Sequence, residues 1–373
     1  MARRFDLAIV GTGGIAAIHA DAVARLGRRA RIVAAVDPDR DRLTSFADRF
    51  GVPRRYEDLD AMLAQERPDL VHLCTPPGLH ADQAIACLQH GLTVLSEKPP
   101  ALSLAELDRI KAAEGTDAAR AAGARFATVF QHRFGSGGLA LRRLVAQGRF
   151  GEPMTARCDT LWYRPDEYFA VPWRGRWDIE GGGPTMGHGI HQMDLMLAVL
   201  GPWREVTAVA ARRARPTATE DLSCAIVTFT NGAVASVVNS LLSPRETSYL
   251  RFDFAAATVE LTHLYGYGDG GWLVTGAPGQ EAEVADLWRA QLSGVSSGHS
   301  AQLAHVLDAL EQGAAPPVTL DDVRPTMELV AAIYASAFTG TRMHCGEIGP
   351  GSPFYDRMDG TGAPWSVPAQ REG

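Results

Sequence analysis

The sequence predicts an α/β protein in two parts: a parallel sheet wrapped by helices, then a second α/β part built on an antiparallel or mixed sheet. Three observations predict it. At 373 residues the chain is longer than one ordinary hydrophobic core organises. Its first third alternates short apolar runs with helix-periodic segments, the βαβ pattern. Past residues 127–130 the character changes to strand-like segments, two of them joined by an Asn-Gly turn.

Taken in order, Leu7 to Val10 reads as a strand and Ile15 to Leu26 as the helix after it. Ile32 to Val36 is a second strand, and Asp41 to Phe50 a helix closed by Gly51. Leu70 to Cys74, the helix His80 to His90 and the strand Leu92 to Leu95 complete the alternation. Apolar runs with so little alternation suit parallel strands covered on both faces. In the second part, Val206 to Ala211, Ser223 to Phe229, Ala233 to Asn239 and Tyr249 to Ala255 read as strands, with Asn231-Gly232 between the middle two. Leu303, Val306, Leu307 and Leu310 recur at helical spacing, and Asp321 and Asp322 cap a helix running to about Phe338. From Gly346 onward Gly and Pro dominate and a surface tail is expected. The predicted division is 1–125, 126–345 and a tail at 346–373.

Composition narrows the function. Hydrophobic residues make up 46% and charged ones 21%, and the net charge is −7 with no sustained basic stripe, so no nucleic-acid partner is expected. Five scattered cysteines without a C-x-x-C pair argue against a disulfide framework and a zinc ribbon, which fits a reduced, cytoplasmic setting. The first apolar run is too short for a signal peptide and no later run reaches membrane length, so no membrane association is expected.

Gly11-Thr12-Gly13-Gly14-Ile15-Ala16 follows the first strand and opens the first helix. This is G-x-G-x-x-A: Gly11 permits the tight turn, Gly13 lets the backbone approach a pyrophosphate, and Ala16 keeps helix and strand close. Gly14 and Ile15 open a helix N-terminus whose free N–H groups and partial positive charge suit phosphates. Asp37 ends the second strand about twenty residues beyond the fingerprint, where an acid accepts from the adenosine ribose. Together they predict a Rossmann domain binding a nicotinamide dinucleotide. Asp37 would repel a 2′-phosphate and favours NAD; Arg40 and Arg42 lie near enough to hold one and keep NADP open.

Ligands of open α/β sheets sit at the carboxyl ends of the strands. Cys74-Thr75-Pro76-Pro77 closes the third strand there, with Thr75 and Pro76 facing the cofactor. His80 either touches it or caps the next helix. Ser96-Glu97-Lys98-Pro99-Pro100 follows the fourth strand. A lysine at a strand end is costly to bury without a task. Its ammonium can stabilise a developing alkoxide, and the following proline permits a cis peptide that aims it inward.

These segments, with Gly181-Gly182-Gly183 and Gly189-Ile190-His191-Gln192-Met193-Asp194 later, resemble in order the Gfo/Idh/MocA oxidoreductases, the family of glucose–fructose oxidoreductase and inositol dehydrogenase. Gln131-x-Arg133-Phe134 fits its domain junction, and Ala332-Ile333-Tyr334-x-Ser336-Ala337-x-x-Gly340 its late helix. The resemblance implies an N-terminal Rossmann parallel sheet plus a C-terminal α/β domain with a large open, mostly antiparallel sheet. It implies Lys98 as catalytic lysine, His191 as proton-transferring base, and Glu97 and Gln131 among the cofactor-facing residues. It also implies a homo-oligomer, dimer or tetramer, through the second domain's sheet.

The chain departs from the family at one position: an aspartate usually stands four residues before the histidine, where this sequence has Gly187. His188, next door, is the candidate replacement. His188, His191 and Asp194 recur every third residue and would lie along one helix face. Asp194 either orients His191 or pairs with an arginine. H-x-x-H-x-x-D could also be read as a metal set, but ligands along one straight helix face seldom converge on one ion, and no metal is expected.

Trp162-Tyr163-Arg164-Pro165 and Trp173-Arg174-Gly175-Arg176-Trp177 precede the glycine run. Aromatic faces stack on sugar C–H surfaces while arginine and tyrosine bond hydroxyls, so Tyr163, Arg164 and Trp173 are candidates for the substrate wall. Their other reading is an aromatic core with arginines reaching outward. Tyr168 and His299 are weaker candidates. The expected reaction is reversible oxidation of a secondary alcohol on a sugar, polyol or cyclitol. A non-catalytic NAD(P)- or sugar-sensing protein and a cofactor-assisted glycosidase remain as alternatives.

Overall fold

Residues 3–365 are described by the structure, a computed structural model. The chain forms two compact units. The first holds Met1–Ala101, Ala105–Val129 and His299–Val323; the second holds Leu102–Leu104, Phe130–Gly298 and Arg324–Gly373. The return of His299–Val323 to the first unit was not foreseen from the sequence. The reason is physical: a 3.6-residue apolar stripe shows that a helix is half-buried, not which sheet it covers. Here Leu303, Val306 and Leu307 join Phe5, Leu7, Ala22, Val23, Leu70 and Leu95 in one core cluster.

The first unit is a six-stranded parallel sheet. Its strands are β1 (Phe5–Val10), β2 (Ala30–Val36), β3 (Arg54–Tyr56), β4 (Leu70–Leu73), β5 (Val94–Ser96) and β6 (Phe126–Thr128), in the order β3-β2-β1-β4-β5-β6. The order reverses between β1 and β4, the crevice where doubly wound sheets hold ligands. β3 was not expected from the sequence, because its three residues, Arg54, Arg55 and Tyr56, lack an apolar run.

The second unit is an eight-stranded sheet: β7 (Pro153–Tyr163), β8 (Trp203–Ala211), β9 (Leu222–Phe229), β10 (Val234–Ser240), β11 (Leu242–Phe254), β12 (Ala257–His263), β13 (Trp272–Gly276) and β14 (Met343–His344). The order is β13-β12-β11-β7-β10-β9-β8-β14, antiparallel throughout except for the parallel pair β7/β10. One face buries Ala156, Cys158, Thr160 and Trp162 of β7. The other carries Arg157 and Asp159, ion-paired at 2.6 Å, beside Arg251 and Asp253, ion-paired at 2.8 Å. That charged face hid β7 from an apolar-run reading. Val209, Ile226 and Leu273 remain exposed at 68%, 52% and 59%.

The expected surface tail is corrected over its described part. Ile348, Phe354 and Met358 are buried, Phe354 packs on Phe338 at a ring distance of 6.3 Å, and the Trp365 Nε1 donates to the Ala218 carbonyl at 3.0 Å. Gly and Pro remove periodicity but do not stop isolated apolar side chains from finding a core; residues 366–373 lie outside the described residues. Phe354→Ala is therefore expected to destabilise the second unit by about 3–5 kcal/mol, as for a core aromatic. Chemical denaturation measures it, and an unchanged midpoint would mean that the segment does lie on the surface.

Candidate active site

The first unit brings three turns together at the carboxyl ends of the neighbouring strands β1, β4 and β5. Gly11, at φ +84°, needs glycine: a Cβ there would stand 2.9 Å from the Cys74 carbonyl. Its N–H donates to the Val36 carbonyl at 2.8 Å. Gly13 caps the helix Gly14–Arg25 without a side-chain hydrogen bond, and a Cβ at Gly13 or Gly14 would meet nothing within 4 Å. The helix N-terminus is thus open to a diphosphate, which is the fit that NAD requires. Ala16 is fully buried and Ile15 packs against the same cluster as Ile9, Ala20 and Ala35.

Asp37 sits at the end of β2, as read from the sequence, but it is already well supplied with donors. Thr12 donates through N and Oγ1 at 2.8 and 2.9 Å, the Asp39 amide at 2.9 Å, and Arg42 through Nη2 and Nε at 2.8 and 3.1 Å. Burial pushes its carboxyl up, but Arg42 and the two amides prevail and hold it below the usual range. A guanidinium on this carboxylate blunts its repulsion of a 2′-phosphate. Arg40 instead pairs with Glu57 at 2.7 Å.

Thr75 and Pro76 stand on the turn after β4, the Thr75 hydroxyl donating to Gln83 at 2.6 Å. His80 stands at the start of the helix that follows this turn. Its ring is fully buried and bonds the carbonyls of Pro99 and Thr75, both at 2.8 Å, so it ties the β4 and β5 turns together. Lys98 follows β5, and the Lys98–Pro99 bond is cis. Only Lys98 and Lys111 are lysines among 36 basic residues, a signal in the sequence that marks position 98. Glu97 turns its carboxylate into the unit: Oε1 accepts from His19 at 3.0 Å and His299 at 2.8 Å, and Oε2 from the Lys98 amide at 3.1 Å.

In the second unit, His191 begins the first turn of the helix Ile190–Leu200, which Gly189 caps. Its ring lies 5.0 Å from His132 and 6.0 Å from Phe130. His188 precedes that helix, so the single helical face expected for His188, His191 and Asp194 is broken. The His188 ring meets Trp162 at 4.9 Å, and its Nε2 lies 3.5 Å from the Tyr168 hydroxyl. Asp194 pairs with Arg133 through two hydrogen bonds of 2.7 and 2.6 Å, the structural of its two readings. Gln131 stands in the short helix Gln131–Phe134, its buried Oε1 without a partner among the described residues.

Arg164 and Trp173 join one aromatic and arginine cluster. Arg164 lies over Trp162 at 4.8 Å and Tyr168 at 5.5 Å; Arg174 lies over Tyr168 at 4.0 Å and Trp173 at 4.4 Å. Tyr168, weakly marked by the sequence, is its centre. Tyr163 is not part of it. The strand's alternation turns Tyr163 away from Trp162, and Arg215 covers its ring at 4.8 Å.

The glycine run has a steric cause that the sequence did not reveal. A Cβ on Gly183 would collide with Glu220, and one on Gly189 with Asn239. Glu220 accepts from Gly183 and Thr185 amides at 3.0 Å each and from the Tyr334 hydroxyl at 2.8 Å, while burial pushes its carboxyl up to about 7. His132 and His263, at 5.0 Å from each other, were also missed; burial and His132 lower His263 to about 3.

Comparison with known proteins places this geometry. A model of the oxidoreductase family with an NAD-binding Rossmann fold matches residues 5–123, and one of the GFO/IDH/MocA C-terminal domain matches 139–269. The D-glucoside 3-dehydrogenase of Escherichia coli is 29% identical over 90% of this chain and 96% of its own. The D-apiose dehydrogenase of Paraburkholderia graminis is 27% identical, over 91% and 89%. The WlbA dehydrogenase of Bordetella pertussis, solved with NADH and UDP-GlcNAcA, superposes with a TM-score of 0.80 at 28% identity, covering 92% of this chain and 99% of that one.

Removing the Arg42 guanidinium should bare the Asp37 carboxylate. Arg42→Ala is expected to weaken NADP(H) binding roughly tenfold while NAD(H) binding holds or tightens, in line with one lost charge-assisted contact. Fluorescence titration with each reduced cofactor reads this; equal, unchanged affinities would place Arg42 outside the site.

Proposed function

The chain belongs to the GFO/IDH/MocA family of NAD-binding oxidoreductases, and from that premise we propose that it interconverts a secondary alcohol and a ketone on a sugar, polyol or cyclitol. When bound, NAD supplies the hydride acceptor, or as NADH the donor, at its nicotinamide ring. The Gly11–Ala16 turn and its helix hold the diphosphate, and Asp37 and Arg42 the adenosine end. The Lys98 ammonium donates to the substrate oxygen and stabilises negative charge as it develops. His191 takes the alcohol proton in oxidation and returns it in reduction. His188, beside Gly187, takes the orienting work of the absent carboxylate. Trp162, Arg164, Tyr168, Trp173 and Arg174 form the sugar-facing wall, with Gln131 near the cofactor.

The observation that carries this reading is Lys98, one of two lysines in the chain, on a turn at the carboxyl end of β5 beside the nucleotide turn. Support for the substrate class comes from relatives named for glucoside and apiose dehydrogenation. The charged face of the second sheet, with exposed Val209 and Ile226, supports assembly as a homo-oligomer. Among the described residues no helix is long and apolar enough to cross a membrane.

A panel of sugars, glycosides and cyclitols, followed by the absorbance of reduced nicotinamide, is expected to return at least one substrate. A free sugar released from a glycoside with no net NADH would instead favour the glycosidase reading. With that substrate, Lys98→Ala and His191→Ala should each lower kcat by about 10²–10⁴ with NADH affinity retained. Full turnover in either variant removes that residue from its role. Ile226→Asp should shift the assembly toward monomer in light scattering, and an unchanged mass would place the interface elsewhere.

A further inference from the structure

Four ionisable side chains of the first unit line up in its interior, and the nucleotide-binding reading uses only one of them. His72 lies on β4, His19 on the helix Gly14–Arg25, Glu97 at the end of β5, and His299 opens the helix His299–Glu311. His72 is fully buried, and His19 and Glu97 are nearly so. The contacts run as a chain: His72 Nδ1 to His19 Nδ1 at 2.7 Å, His19 Nε2 to Glu97 Oε1 at 3.0 Å, and His299 Nε2 to the same oxygen at 2.8 Å. The second carboxylate oxygen accepts the Lys98 amide at 3.1 Å.

Two accounts fit such a cluster, a metal ion or shared protons, and distance separates them. Ligands at 2.0–2.1 Å around a tetrahedral zinc stand about 3.3 Å apart. Both imidazoles approach Glu97 more closely than that, at ordinary hydrogen-bond lengths. Hydrogen bonding then fixes the protons. Both Nε2 atoms must donate to the carboxylate. With His19 neutral, its Nδ1 accepts, so the His72 Nδ1 donates and the His72 Nε2 is a bare acceptor. That nitrogen is indeed buried without a partner among the described residues. Burial lowers both His19 and His72 from the ordinary imidazole range, so they stay neutral. Burial presses the Glu97 carboxyl upward, but its two imidazole donors prevail and hold it well below the usual range. Of the two imidazole donors His299 stands nearer solvent, its side chain 11% exposed against 1% for His19.

We propose that His19 and His299 are positioning residues that hold Glu97 as a carboxylate under the Lys98 backbone, and that this carboxylate sets the field felt by the Lys98 ammonium. Cys74 and His80 also face Glu97 electrostatically, Cys74 as a thiol raised by burial and by that charge, and His80 lowered by burial. The significance of the field for turnover rests on the role given to Lys98; the field itself does not.

The test therefore reads the ammonium directly. Because Lys111 is the chain's other lysine, and stands on the surface paired with Asp321, it serves as an internal reference. The full-length protein is labelled with trinitrobenzenesulfonate across a pH series, and each lysine's labelling midpoint is followed by peptide mass spectrometry. Glu97→Gln removes the negative charge and should move the Lys98 midpoint down by about one pH unit. His299→Gln keeps a donor on the carboxylate and should leave the Lys98 midpoint in place, with Lys111 unmoved in both. A merely structural role would not separate the two variants. A Lys98 midpoint that stays put in Glu97→Gln, or that moves alike in both variants, overturns the proposal, as does a stoichiometric transition metal in the wild-type protein. Should Glu97→Gln not fold, a shifted Lys98 midpoint in His299→Gln overturns it alone. Lys98→Ala with full turnover would sink the catalytic reading while leaving these shifts intact.

Discussion

Burying a carboxylate is tolerable only if hydrogen-bond donors come with it, and the first unit is arranged around meeting that demand for Glu97. The donors arrive from elements that sequence separates widely. His19 comes from the helix behind the glycine turn, and His299 from a helix that returns after the whole second sheet has been built. The return of His299–Val323 thus closes the apolar cluster through Leu303, Val306 and Leu307 and also supplies the second imidazole on Glu97. One carboxylate couples the nucleotide helix, the β5 turn and the returning helix, with the Lys98 amide on its remaining oxygen.

The second unit meets the same demand twice with other means. Asp194, fully buried, takes the Arg133 guanidinium in a two-pronged pair with the Thr326 hydroxyl at 3.2 Å. Breaking such a pair from one side costs about 3–5 kcal/mol, so its first task is to hold the helix that carries His191. Among the described residues Glu220 is held by two amides and a phenol rather than by a guanidinium, and burial lifts it to about 7. Its amide partners are Gly183 and Thr185, which places the glycine run under its control. The glycines look like flexibility in the sequence. In the fold they admit the Glu220 and Asn239 groups that fix the backbone around His188.

What the sequence revealed follows from which signals are local. The glycine turn, the acid ending β2 and the lysine after β5 are set by short segments and could be read from spacing alone. The hairpin at Asn231-Gly232 was legible for the same reason. β7 was not, since its outward residues are charged, and neither was the buried part of the expected tail, whose apolar residues have no period. Partnerships were hidden more deeply. His80 sits three residues beyond a proline turn at a strand end, as a ligand contact would, yet both its ring nitrogens face carbonyls. Asp37 carries an arginine that spacing marked only as a rival for phosphate. Tyr163 and Trp162 are adjacent in sequence, and a strand's alternation sends them to opposite faces.

Gly187 separates chemistry from packing. Gly183 and Gly189 are obliged to lack side chains by neighbours that would collide with a Cβ. At Gly187 a Cβ would meet nothing within 4 Å, and the residue is not among those with positive φ. The fold would therefore accept a carboxylate where the family pattern has one, and its absence is not a concession to sterics. The rings gathered nearby are His132 beside His191, and Tyr168 beside His188. On the role proposed for His191, a carboxylate at position 187 would add a negative charge to steady the imidazolium formed when the substrate's proton arrives, and glycine adds none. The departure at Gly187 thus falls where, on the proposed roles, it alters how firmly the substrate's proton is held, and it leaves the fold untouched.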